Sequence, residues 1–182
     1  MSHPYCAYVS TITDAYDVDK IYHDKHYGVP IHDDNELFCR FFMEVNQAGL
    51  SWHTILVKEQ NFRNAYHNFD IKKVAKYGEK DITRLMNDAG IIRNRLKINA
   101  AVYNAQKLVD TQKEFGSFRK WLDVEGDRLQ VVGCNGEALK KEWVRLFKNN
   151  FKFVGGEIVG EFLMSINMLE GSHGIECIRH KT

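Results

Sequence analysis

The stretch Glu44-Val-Asn-Gln-Ala-Gly-Leu-Ser-Trp52 brings a carboxylate and an indole together across a short turn. Glu44 follows Phe41 by three residues and Leu37 by seven, so a helix places all three on one face. A carboxylate on an apolar face is costly to bury unless something pairs with it. Either it bonds a helix N-terminus or a basic side chain of the protein, or it receives a ligand. Trp52 has the same two options, as core filler or as a platform for a ring. On the ligand reading, the pair would form one wall of a pocket for a flat, positively charged ring.

Two further groups have types and spacings suited to chemistry. His173-x-x-x-Cys177 sets two soft metal ligands about one helical turn apart, and Cys6 and His23 could complete a four-ligand zinc site. Such a site would clasp the two ends of the chain. Arg93, Arg95 and Lys97 follow the turn at Ala89-Gly90, where a helix N-terminus, free backbone N–H groups and basic side chains would suit DNA phosphates. A solvated basic face on an ordinary helical hairpin is the other reading.

The elements that must position these groups are helical. Asp33 or Asp34 caps a helix with Leu37, Phe38, Phe41, Phe42 and Val45 as its apolar stripe. Gly49 supplies the turn, and Ser51 caps a second helix carrying Trp52, Ile55, Leu56, Phe62 and Tyr66. A short segment covers Ile71 to Tyr77. Ile82, Leu85 and Met86 mark a short helix that stops at Ala89-Gly90, and a longer one runs from near Asn94 to about Gln112. Ser117 to Leu122 makes one or two turns, residues 125–136 read as loop or short strand, and 137–149 form a basic helix. The last helix spans Ile158 to Leu169. Residues 1–32 have weak periodicity and read as an ordered loop packing aromatics, including Tyr22 and Tyr27, on the helical body, a ligand role needing partners from elsewhere in the chain.

The chain of 182 residues is 44% hydrophobic and 12% aromatic, which supports a packed core in a single domain, residues 1–182. Two prolines and 13 glycines leave few loops. A net charge of +1 argues against a bulk electrostatic binder of nucleic acid, so any basic surface must be local. No signal peptide opens the chain, and no apolar run reaches the ~18 residues of a membrane span. A cytoplasmic, monomeric protein is expected, with its four cysteines as thiols or metal ligands.

These features resemble the DNA-3-methyladenine glycosylase I family of the helix-hairpin-helix superfamily of DNA glycosylases. The residues that carry the likeness are Tyr22-His-Asp, Tyr27-Gly-Val-Pro30, Glu44 with Gln47 through Trp52, Asp88 through Arg93 with Arg95 and Lys97, and Phe151-Lys-Phe-Val-Gly155. The resemblance implies an all-α bundle with a helix-hairpin-helix motif, acting on double-stranded DNA that contains alkylated adenine. It implies Glu44 as the catalytic residue, accepting hydrogen bonds from the base. Tyr22 would bind the base edge and Trp52 would stack on it. Tyr8 and Tyr27 stand where the family has pocket tryptophans, and Gly49 and Leu50 would fill the gap left in the duplex. Gly90, Arg93, Arg95 and Lys97 would hold the DNA, and Cys6, His23, His173 and Cys177 would bind one structural Zn2+. Asp19 replaces a usual aromatic, and the segment after Gly155 diverges. A second reading is therefore a zinc-clasped module that binds damaged DNA without releasing a base.

Overall fold

Helix α3, Asp34–Gln47, runs through the middle of the molecule and is buried on all sides from Leu37 to Asn46. The sequence predicts a one-sided stripe. Instead its phenylalanines find partners in every direction, because α3 packs against α4 (Trp52–Leu56), α8 (Arg95–Phe115), α9 (Phe118–Val131) and α11 (Gly156–Ser165). The computed structural model describes residues 3–177 and 179, in which eleven α-helices and one 3-10 turn occur and no strand. Phe41, Phe147, Phe151 and Phe162 meet ring to ring at 5.3–5.8 Å around α3. None of the described helices is long and apolar enough to cross a membrane.

Both aspartates at the start of α3 act as caps, for different helices. The Asp33 carboxylate accepts from the N–H groups of Asn35 (2.9 Å) and Glu36 (3.0 Å). Asp34 turns away and accepts from the N–H groups of Phe118 (2.8 Å) and Arg119 (3.0 Å), neutralising the N-terminus of α9. One residue thereby sets the angle between two core helices.

The remaining helices depart from the sequence reading in instructive places. Residues 1–32 are not a loop but hold α1 (Pro4–Ser10) and α2 (Val18–Lys25). Pro4 starts the first, and the Asp17 carboxylate caps the second by accepting from Asp19 N–H at 2.8 Å. The helix expected from Trp52 to Tyr66 breaks at Val57–Lys58 into α4 and α5 (Glu59–Ala65), and Lys58 sends its ammonium to the carbonyl of Gly90, 3.1 Å away. The segment 125–136, read as loop or strand, is helical to Val131 within α9. Gly126 there sits inside the helix facing Trp143 of α10 (Gly136–Asn150), where a Cβ would make only ordinary contact, so it marks no turn. The last helix stops at Ser165, four residues early, where Asn167 takes a φ of 60°. The predicted Ile71–Tyr77 segment holds α6 (Ile71–Val74), and α7 (Glu79–Asn87) ends before Ala89-Gly90.

Candidate active site

A cavity of about 260 Å³ opens between α1, α2, α3, α4 and α11. Glu44 and Gln47 of α3 line it with Tyr22 of α2, Trp52 of α4 and Tyr27 of the following loop. His3, Pro4 and Tyr5 close it from the N-terminus, and Glu161 does so from α11.

Glu44 is 3% exposed, and among the described residues no hydrogen bond reaches its carboxyl. Burial pushes the group up to about 8; the nearby Glu161 adds to the shift, and Arg40 opposes it. The side-chain partner that would make Glu44 an internal structural residue is therefore missing. Arg40, the nearest candidate, is engaged elsewhere. Its Nη1 donates to the Tyr22 hydroxyl at 2.8 Å, and its guanidinium lies 4.7 Å from that ring's centroid. Tyr22 is pinned in turn against Trp52, with ring centroids 5.1 Å apart. The Trp52 Nε1–H is buried and has no partner among the described residues. An unmade hydrogen bond of this kind costs about 1–3 kcal/mol.

Each wall residue has a local reason for its place. Ser51 caps α4 by accepting from Thr54 N–H (3.2 Å), which fixes Trp52 at the first helical position. Gly28 after Tyr27 has φ +73°, and a Cβ there would stand 2.6 Å from Ser172 Oγ. Its N–H donates to the Ser165 carbonyl at 2.9 Å, which holds the Tyr27 loop onto the end of α11. The Tyr27 hydroxyl then donates to Glu161 Oε2 at 3.2 Å. Burial raises the hydroxyls of Tyr5, Tyr22 and Tyr27, so all three stay neutral donors.

Not every expected residue lies at the pocket. Tyr8 is 48% exposed and does not line it; its ring stacks on Tyr5 at 6.3 Å, and Tyr5 takes the wall position. Tyr5, Arg40 and Glu161 were not singled out by sequence. A usable signal existed for Glu161, a lone acid among Ile158, Val159, Phe162 and Leu163, the same pattern that marked Glu44. Asp19, where the family usually has an aromatic, is buried and accepts from the Tyr5 hydroxyl and shares a hydrogen bond with His53.

Beside the pocket, Gly49 (φ +83°) and Leu50 (39% exposed) project from the turn between α3 and α4. Lys97 departs from its sequence assignment. It is 5% exposed, and its ammonium donates to the carbonyls of Asn46 and Ala48, both at 2.8 Å. It satisfies orphan carbonyls at the C-terminus of α3 and so braces the Gly49-Leu50 turn from within. Arg93 and Arg95 are exposed, Arg95 pairing with Glu79 at 3.0 Å. The Gly90 N–H is taken by the Asp88 carboxylate (2.8 Å) and its carbonyl by Lys58 and Asn61, so this glycine shapes the turn between α7 and α8.

Cys6, His23, His173 and Cys177 bring their ligand atoms within 4.8 Å of one another, a group that could hold a metal ion. Sulfur-to-nitrogen distances are 3.3 Å (Cys6–His23), 3.6 Å (His23–Cys177), 3.6 Å (Cys177–His173) and 3.7 Å (Cys6–His173). Each imidazole is held by its other nitrogen: His23 Nδ1 meets Asp24 at 2.8 Å, and His173 Nε2 meets the Tyr27 carbonyl at 2.9 Å.

The sequence profile described as methyladenine glycosylase matches residues 13–180. This chain belongs to that family. It is 36% identical over 165 residues to DNA-3-methyladenine glycosylase 1 of Escherichia coli K12, covering 86% of this chain and 88% of that one. Among solved structures, 3-methyladenine DNA glycosylase I from Staphylococcus aureus superposes with a TM-score of 0.81 at 28% identity, covering 98% and 97% of the two chains. A variant of 3-methyladenine DNA glycosylase I crystallised with 3-methyladenine gives 0.80 at 28% identity, covering 96% of each. Membership of the methyladenine glycosylase family thus extends over nearly the whole chain.

Proposed function

We propose that this protein is a monofunctional DNA glycosylase that flips 3-methyladenine out of alkylated DNA and hydrolyses its N-glycosidic bond. The observation that carries the assignment to this cavity is the unpartnered Glu44 carboxyl beside the unpartnered indole N–H of Trp52. Adenine methylated at N3 is a cation whose glycosidic bond is already weak. When that bond breaks, its electron pair goes to the purine, which leaves neutral, and water adds at C1′ with loss of one proton. The protein's work is to extrude the nucleotide and to prefer the cation over ordinary adenine. Extrusion costs a few kcal/mol, least at a damaged base. Glu44 accepts hydrogen bonds from the base, Tyr22 and Tyr27 contact it, and Trp52 stacks on its face. A cation over an indole gains about 0.5–2 kcal/mol, and charge-assisted hydrogen bonds are about twice as strong as neutral ones. No residue is assigned as a general base.

Gly49 and Leu50 act as the wedge that fills the duplex after extrusion. The α7–turn–α8 unit acts as a helix-hairpin-helix motif on double-stranded DNA, in a cytoplasmic enzyme that works as a monomer. Arg93 and Arg95 meet phosphates, while Lys97 serves the wedge from inside. Arg95→Ala is therefore expected to lower the salt slope of DNA binding by about 1 with little effect on stability. Lys97→Met should leave that slope unchanged and cost about 1–3 kcal/mol of stability, since it strands the buried Asn46 carbonyl. Salt titrations of DNA binding, run beside denaturant unfolding, separate the two roles.

The metal group fits Zn2+. With ordinary zinc bond lengths a tetrahedral site sets sulfur and nitrogen about 3.5 Å apart, close to the four separations present. Four protein ligands leave no position for water, so the ion is structural.

The deciding experiment incubates N-methylated duplex DNA with the protein and measures free bases. Release of 3-methyladenine well above the buffer rate is expected. DNA binding without release would instead favour the damaged-DNA-binding module.

A further inference from the structure

The pocket holds two carboxylates, Glu44 and Glu161, the second on a helix where this chain diverges from the family pattern. They come from α3 and α11, which pack directly on each other. Glu161 Oε2 accepts from the Tyr27 hydroxyl, and no hydrogen bond among the described residues reaches Oε1. Neither acid forms an ion pair with a described basic group. Two acids without an ion-pair partner among the described residues, around one cavity of about 260 Å³, form a site for a cation.

We propose that Glu161 is a second substrate-contacting carboxylate, which with Glu44 receives the cationic base in exchange for one proton. The proposal rests on the base-pocket reading above. Like charges in a poorly hydrated cavity cannot both form cheaply, so the empty pocket keeps a proton. Glu44 carries it, being raised to about 8 first by burial and then by the Glu161 charge. Arg40 is the one cation that opposes this, and its own hydrogen bonds go to Tyr22 and the His26 carbonyl. Tyr5, Tyr22 and Tyr27 remain neutral, and His3 is the other titratable group in the wall. A cationic purine entering the cavity replaces the proton, which passes to solvent. Cleavage neutralises the purine, the acids again face each other without a cation, and one proton returns from solvent. Cleavage is thereby linked to proton uptake, and the product complex and the empty pocket hold the same one proton.

The test is calorimetric titration with free 3-methyladenine from about pH 6.5 to about pH 9.5, where one proton is shared by the two acids and the base in the complex. Wild-type affinity is expected to be level up to about 8 and then to fall about tenfold per pH unit. In Glu161→Gln the break should move down by about one pH unit, with affinity at pH 7 about tenfold lower. Gln keeps the acceptor for Tyr27, and a thermal melt reads whether folding is intact. Glu161→Ala should show the same shift. Wild-type affinity in both variants, or lower affinity with an unmoved break, overturns the proposal; an unmoved break belongs to a group other than Glu161. If Glu44→Gln loses affinity while both Glu161 variants bind normally, the base pocket stands and only the role of Glu161 fails. If the wild type binds no 3-methyladenine, the base pocket itself is wrong.

Discussion

Glu44→Gln is expected to release 3-methyladenine about 10²-fold more slowly than wild type, the usual effect of removing one preorganised electrostatic contact. The same change should stabilise the protein at alkaline pH. The folded carboxyl titrates near 8, whereas an exposed one titrates near 4.5. Between those values the folded state holds a proton that the unfolded chain has lost, so wild-type stability falls as pH rises through that window. Glutamine does not titrate. Its advantage should therefore be small at pH 5 and grow to on the order of a few kcal/mol by pH 8–9. Thermal unfolding at both pH values, beside single-turnover base release, checks the pair of effects. A variant less stable than wild type at pH 9 would show that Glu44 is held by an internal partner and is not free to receive the base.

Removing the metal is expected to have the other large effect. Chelation, or Cys177→Ala, should cost on the order of several kcal/mol, because ligands from α1, α2 and the C-terminal segment would otherwise be joined through one ion. The loss should also reach the pocket. Tyr5 adjoins Cys6, Tyr22 adjoins His23, and the Tyr27 carbonyl holds His173, so three wall residues are one step from a ligand. Affinity for free 3-methyladenine should therefore fall together with the melting temperature, although none of the ligands lines the cavity. Metal analysis gives the check: one zinc per wild-type chain and none in the variant is the expected result, and equal, negligible zinc in both would remove the clasp.

Much of this was legible in the residues themselves wherever a local rule applied. Asp33 and Ser51 cap as their types predict, Gly49 makes its positive-φ turn, and Ile98, Val102, Ala105 and Leu108 all face the core. Lys97 shows a local rule passed over. Residues two apart on a helix lie about 200° around its axis, so Arg95 and Lys97 could not share one DNA-facing side. The same holds for α9, where residues 125–136 read as loop or short strand although apolar residues continue to Val131 at helical spacing.

What the amino-acid order determined alone was the helical class, the turn between Glu44 and Trp52, and the four ligand types near the two ends. Whether Glu44 had an internal partner was a different kind of question. Its answer depends on where Arg40 points and on what α11 presents, and both are set by packing between helices far apart in sequence. The tertiary structure decided that Arg40 goes to Tyr22, that Glu161 faces the same cavity as Glu44, and that Tyr5 rather than Tyr8 closes it. Electrostatic cost follows distance and burial, and neither is a function of position along the chain.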